Sequence, residues 1–302
     1  MDELLIYLEN NYSQKIPTLN QYKRHYNKLK NFGDFDLDND NDCLDIINKD
    51  MSLSSKLGLL NLMIIYRSKV KMENVVQGHP LVDCRTKIKN EEKIKKIEKN
   101  DMIKSQLPTR DQLQKYLHKQ FDNGNYKNYI VNYLLLNFYV RNVDCNVLLF
   151  KNQDPCCDDI NYLVYYDDKP NYVIWKRNKY KTINLYGKQE HKIMGRSISG
   201  KNFCNAVREF YDTNDGNNNT GVPLFKTTSN KQVSDANCGW YVANSTYQGI
   251  GEGKYLKIML NDINNQPNTM NILNKISASR GTGAKHLITD YNITQSVNDI
   301  LQ

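Results

Sequence analysis

Apolar positions recur at helical spacing through the first third of the chain, and alternate like those of strands beyond residue 160. ELLIYLENNY, LNQYKRHYNKLKNF and SSKLGLLNLMIIYRSKV each bring apolar residues back every three to four positions, predicting three helices before about Arg67. The turn through Ile16, Pro17 and Thr18 separates the first two, with Thr18 expected as an N-cap. Between the last two lies the acidic stretch DFDLDNDNDC. It lacks the central glycine and the correctly placed terminal glutamate of a calcium loop and reads as a solvated loop. KIKNEEKIKKIEKNDMIK carries a few isoleucines at loose helical spacing among charges, which predicts a helical arm or linker.

Leu107-Pro108-Thr109 breaks that arm and starts a new helix, RDQLQKYLHKQF, so a domain boundary is expected near residue 105. The apolar run YIVNYLLLNFYV follows, must be buried, and ends at Arg141. NYLVYYDD, NYVIWKRNKYKT and EHKIMG alternate in polarity, with turn chemistry at Asp168-Lys169-Pro170 and Leu185-Tyr186-Gly187-Lys188, predicting three short antiparallel strands. Helices are expected around NFCNAVREFY, GKYLKIMLNDI, TMNILNKISAS and AKHLITDY, and DTNDGNNNTG reads as a surface loop. The fold class is therefore α+β: a helical N-terminal domain over 1–105, then a mainly helical domain over 106–302 with a small three-stranded antiparallel sheet.

Composition narrows the functional classes. At 302 residues, 39% hydrophobic and 25% charged, the chain reads as a globular protein with room for two cores. Forty-one Lys+Arg against 33 Asp+Glu leave a net +8, which suits a polyanionic partner. The seven cysteines are odd in number and none shows C-x-x-C spacing, so no metal site is expected and a reducing, intracellular compartment (host cytoplasm, viral factory or nucleus) is. MDELLIYLENNY has neither the basic nor the long apolar region of a signal peptide, and no stretch approaches the roughly 18 apolar residues of a membrane span. Heavy use of Asn, Lys, Ile and Tyr fits an AT-rich genome, such as that of some large DNA viruses.

Two features bear on chemistry. The second helix gathers Lys23, Arg24, Lys28 and Lys30 with Tyr22 and Tyr26, suited to lying along a phosphate backbone; a solvated basic face is the other reading. Arg141 ends an apolar helix, where a permanently charged guanidinium needs a partner or a function. Asp144, one turn on, is placed to hold its fork, as a structural pair or as part of a site.

The order of these pieces (apolar helix, Arg-x-x-Asp, strands, helices, late tyrosine) resembles the catalytic domain of the tyrosine recombinases, the phage-integrase family. LLLNFYVRNVDCNVLLF looks like the helix that delivers that family's first catalytic arginine, here Arg141, with Asp144 as the acidic residue after it. WKRNKYKTINLYGKQ looks like the hairpin that carries a catalytic lysine; of Lys176, Lys179 and Lys181 the last, nearest the hairpin turn, is favoured, with Lys176 and Lys179 as expected contacts to DNA and a basic strand face without catalysis as the other reading for each. GKYLKIMLNDI stands where the family has a His-x-x-Arg helix, but holds Lys254 and Lys257 in those places. NKISASRGTGAKHLITDYNI ends on the expected nucleophile, Tyr291, with Thr282 where the family has a histidine or tryptophan, and with Arg280 and His286 nearby. YLENNYSQKIPTLNQYKRHYNKL is similar to the family's helical core-binding domain.

The resemblance implies attack of a tyrosine hydroxyl on a DNA phosphodiester without a cofactor. Arginines stabilise the added negative charge, and a lysine protonates the departing 5′-oxygen. Double-stranded DNA is the implied partner, with a homo-tetramer on paired sites, no membrane, and integration, excision or resolution as the outcome. The loss of the bidentate fork at Lys257 leaves a catalytically lapsed DNA-binding protein on the same fold as the alternative, beside a type IB topoisomerase of related chemistry.

Overall fold

The computed structural model describes residues 2–104, 106–180, 183–214, 221–263, 269–280, 283 and 287. The chain divides into two compact units, 1–99 and 100–302.

The first unit is helical: α1 (Asp2–Tyr12), α2 (Ile16–Lys30), α3 (Asp40–Asn48), α4 (Leu53–Ile65), and the first part of α5 (Pro80–Lys104). Leu4, Leu8, Leu29, Leu59 and Leu60 form the centre of its core, all fully buried. α2 starts at Ile16 after Lys15, and Pro17 occupies the first turn, where a missing N–H costs nothing; Thr18 lies inside the helix and does not cap it. The acidic stretch is not wholly a solvated loop. Asn39 accepts a hydrogen bond from the backbone N of Asn41 and caps α3, which takes in Asp40 and Asp42 near its positive end. Arg67, in a π-helical turn (Tyr66–Val70), donates to Leu37 O at 3.1 Å and to Glu73 Oε2 at 2.5 Å, and lies 3.7 Å from Asp40.

In the second unit, α6 (Arg110–Asp122) opens with a capping box. Gln112 N donates to Thr109 Oγ1 and Thr109 N to Gln112 Oε1. α7 (Tyr126–Phe138) is buried without interruption from Tyr129 to Leu136, as a helix sheathed by others must be. Its neighbours are α6, α9 (Ile198–Thr213), α10 (Cys238–Ser245) and α11 (Glu252–Ile263); α12 (Thr269–Arg280) follows in the chain. Asn132, fully buried in α7, donates to Ser245 O at 2.8 Å and accepts from the hydroxyl of Tyr255 on α11, tying three helices together.

Among the described residues the sheet has five strands rather than three, and it is mixed. β1 (Val147–Lys151), β2 (Asn161–Tyr166), β3 (Lys169–Arg177), β4 (Gln189–Met194) and β5 (Val222–Pro223) lie in the order β4-β3-β2-β1-β5, with the short helix α8 (Ile183–Tyr186) between β3 and β4. β1 runs parallel to β2, and the other pairs are antiparallel. The expected strands are β2, β3 and β4; β1 and β5 are additional. β1 reads VLLFK with no alternation, as a strand paired on both sides does, so it carries no strand period of its own in the sequence. Val173, Trp175 and Arg177 point from β3 into the core, which puts a cation on the apolar face.

Candidate functional site

Arg141 lies beyond the helix rather than at its end. α7 closes at Phe138, and Tyr139 turns into the left-handed region (φ 54°), a conformation that costs a residue with a Cβ of order 1 kcal/mol. Arg141 is then extended (φ −91°, ψ 165°), before a 3₁₀ turn over Asn142–Cys145. Strained backbone persists only where its surroundings dictate it, and the contacts along this segment do so.

Those contacts come from distant parts of the chain. Arg280, at the end of α12 and 3% exposed, donates from Nη1 to the carbonyls of Tyr139 (3.1 Å) and Val140 (3.0 Å), and from Nη2 to Glu252 Oε1 (2.7 Å). Glu252, at the start of α11, accepts through its other oxygen from the backbone N of Asn142 at 2.9 Å. Ser279 Oγ donates to Phe138 O at 2.8 Å. Asp144 Oδ2 accepts from the backbone N of Arg141 at 2.8 Å.

Asp144 is engaged by a second arginine as well as by the Arg141 backbone. The same Oδ2 that takes the Arg141 N–H accepts from Nη2 of Arg177 at 3.0 Å, and both side chains of that pair are out of contact with solvent. Arg177 also donates from Nη1 to Gln189 Oε1 (2.6 Å) and Ser279 O (2.9 Å), and its guanidinium lies over the rings of Trp175 and Tyr180. Burial pushes the Asp144 carboxyl above its ordinary value, against the pull of the Arg177 charge and the Arg141 amide. Beside them His191, across the ladder from Trp175, is lowered to about 4 by burial and by the Arg177 charge, so its ring is neutral near pH 7.

Sequence reasoning did not single out Arg177 or Glu252. A signal for Arg177 was present in the alternation Val173, Trp175, Arg177, which placed an arginine on the inward face of a strand. Glu252 had none, because its role depends on the Arg280 side chain reaching it from another helix.

The remaining candidates are spread more widely. Lys254 is exposed and Lys257 half-buried on α11. Lys176 points outward from β3 and pairs with its cross-strand neighbour Glu190 at 2.7 Å, with Asp154 at 3.6 Å. Lys179 pairs with Asp235 at 2.8 Å. In α2, Lys23 pairs with Glu9 at 2.6 Å, Arg24 is exposed and Lys28 half-buried. The Tyr26 ring is buried in the core, with Lys30 Nζ over it at 5.0 Å, and Tyr22 packs edge-on against Tyr12. Lys181, Thr282, His286 and Tyr291, with the DTNDGNNNTG stretch from residue 215 and nearly all of AKHLITDY, lie outside the described residues. Among the described residues no three His, Cys, Asp or Glu side chains gather as a metal site would require, and no helix is long and apolar enough to cross a membrane.

No family model matches the chain, and no curated protein matches it. Among solved structures it is similar to the crystal structure of XerA recombinase, at 10% identity and a TM-score of 0.38, covering 99% of this chain and 96% of that one. That likeness is too distant to carry any residue's role across.

Proposed function

We propose that this protein cuts and rejoins duplex DNA through a 3′-phosphotyrosyl intermediate. Arg141 sits at the scissile phosphate, Tyr291 is the nucleophile, Lys181 the acid for the leaving 5′-oxygen, and Lys257 a second cation. The tyrosine hydroxyl gives its proton to water as its oxygen bonds to phosphorus, the bond from phosphorus to the 5′-oxygen breaks, and that oxygen departs with a proton from the lysine; rejoining reverses these transfers. The sequence resemblance supports this assignment. The observation that carries it is the fastening of residues 138–144 by Ser279, Arg280, Glu252 and Asp144, which hold Arg141 on a backbone with little freedom to move. A cation fixed in advance stabilises charge that develops on a phosphate without reorganising at the moment of reaction.

Arg280 supports the site in this reading by gripping the loop. Lys23, Arg24, Lys28, Lys176 and Lys179 add sequence-independent attraction to the backbone of the duplex, and strand exchange takes place in a tetramer on two sites. The pairing of Lys23, Lys176 and Lys179 with carboxylates makes each a modest contributor, since an ion pair must open before the phosphate is met.

A covalent trapping assay tests the proposal. The protein is incubated with nicked or suicide duplexes from its own genome, and an SDS-resistant protein–DNA band is sought. The expected band disappears in Tyr291→Phe and Arg141→Ala. A second reading, a DNA-binding protein that has lost cleavage, is favoured by Lys254 and Lys257 in place of histidine and arginine. It predicts tight, salt-dependent binding with no band. Relaxation of a supercoiled plasmid without site preference points instead to the topoisomerase variant of the chemistry.

A further inference from the structure

We infer that Arg177 is the positioning residue of this site, holding Arg141 in register through the Asp144 carboxylate; the inference rests on the reading of Arg141 as a phosphate ligand. One oxygen, Asp144 Oδ2, is shared between the Arg141 amide at 2.8 Å and Arg177 Nη2 at 3.0 Å. Asp144 therefore cannot move without releasing one of them. Arg177 cannot move either: its side chain is wholly buried, its Nη1 is committed to Gln189 on β4 and to Ser279 O on α12, and the rings of Trp175 and Tyr180 flank its plane. The strand thus supplies a rigid cation whose reach fixes the carboxylate, and the carboxylate fixes the amide of the residue that meets DNA. Arg177 has no route to a phosphate of its own, because a guanidinium at zero exposure with these commitments would have to abandon a buried carboxylate to find one.

The planar fork is what the arrangement uses: Nη1 and Nη2 serve different elements at once. A lysine at this position keeps the charge on Asp144 but has a single donor centre for Asp144, Gln189 and Ser279. Arg177→Lys should therefore restore part of what Arg177→Gln loses.

Two measurements on the full chain test this. The first is amide hydrogen exchange of the 139–146 segment in wild type, R177K, R177Q and the neutral pair R177Q/D144N, the last made because R177Q strands a buried carboxylate. Exchange in this segment should quicken at least tenfold in R177Q and in the pair, less in R177K, while residues 203–211 of α9 keep wild-type protection. Wild-type exchange at 139–146 in the pair overturns the inference. The second is the salt dependence of binding to a fluorescent 40-base-pair duplex of mixed sequence. Losing one phosphate contact lowers the slope of log K against log salt by about one. R141A and R177Q should each produce that drop, and R141A/R177Q no further drop, because both act through one contact. A drop of about two in the double variant makes Arg177 an independent contact and overturns the positioning role. If R141A leaves the slope unchanged, the reading of Arg141 as a phosphate ligand falls, and the exchange experiment still decides whether Arg177 holds the loop.

Discussion

His191 makes the second unit sensitive to mild acid, and the size of the effect follows from its surroundings. The ring sits 5.1 Å from that of Trp175 and 5.2 Å from that of Phe138, close enough to Arg177 to feel its charge, and it is lowered from 6.5 to about 4. Well above pH 6.5 the imidazole is neutral in the folded and unfolded chain alike and has no effect on stability. Below it the unfolded chain takes a proton that the folded chain refuses, so stability falls as pH drops from 6.5 and levels off near 4. At about 1.36 kcal/mol per decade the gap sets a ceiling of roughly 3.4 kcal/mol, which the partial exposure of the ring reduces to about 2. Replacing His191 by Phe removes the titrating group and leaves an aromatic ring against Phe138 and Trp175. The chain's two tryptophans, Trp175 and Trp240, both belong to the second unit, so urea unfolding followed by their fluorescence reports on that unit alone. The gap in unfolding free energy between His191→Phe and wild type should shift by about 2 kcal/mol in favour of the variant between pH 7 and pH 4.5. A gap constant within about 0.5 kcal/mol across that range refutes the reasoning.

Three further outcomes are expected. Tyr255→Phe leaves the fully buried Asn132 amide oxygen without its hydroxyl donor and should cost about 1–3 kcal/mol in the same unfolding assay. Leu134→Ala opens a void in the most enclosed helix and should cost about 2–5 kcal/mol; a loss under 1 kcal/mol would mean α7 is not the packed centre of its unit. A thiol reagent should label exposed Cys156 rapidly in the native protein. Cys43, raised to about 12, and Cys204 and Cys238, each raised to about 11 by burial, should react only on unfolding, as mass spectrometry of the labelled peptides would show.

Much of the architecture was legible because its signals are local. Alternation marked β2, β3 and β4, and the break at Leu107-Pro108-Thr109 marked the start of α6. What escaped depends on partners far apart in sequence. β1 was not marked as a strand, since four apolar residues closed by Lys151 carry no period of their own, and β5 is two residues recognisable only by pairing with β1. For the site, the Arg141-x-x-Asp144 spacing was visible, but spacing says nothing about which arginine takes the carboxylate. The answer, Arg177, lies 33 residues further along the chain.

The Arg177–Asp144 pair also constrains how this sequence can change over generations. Neutralising either residue alone strands a buried charge at a cost of about 3–5 kcal/mol, a large share of the roughly 5–15 kcal/mol by which a domain is stable. Neutral drift therefore has no easy single step through these two positions. Descendant sequences should keep both residues or exchange both for apolar ones of similar volume, so that arginine and aspartate are inherited as a single character.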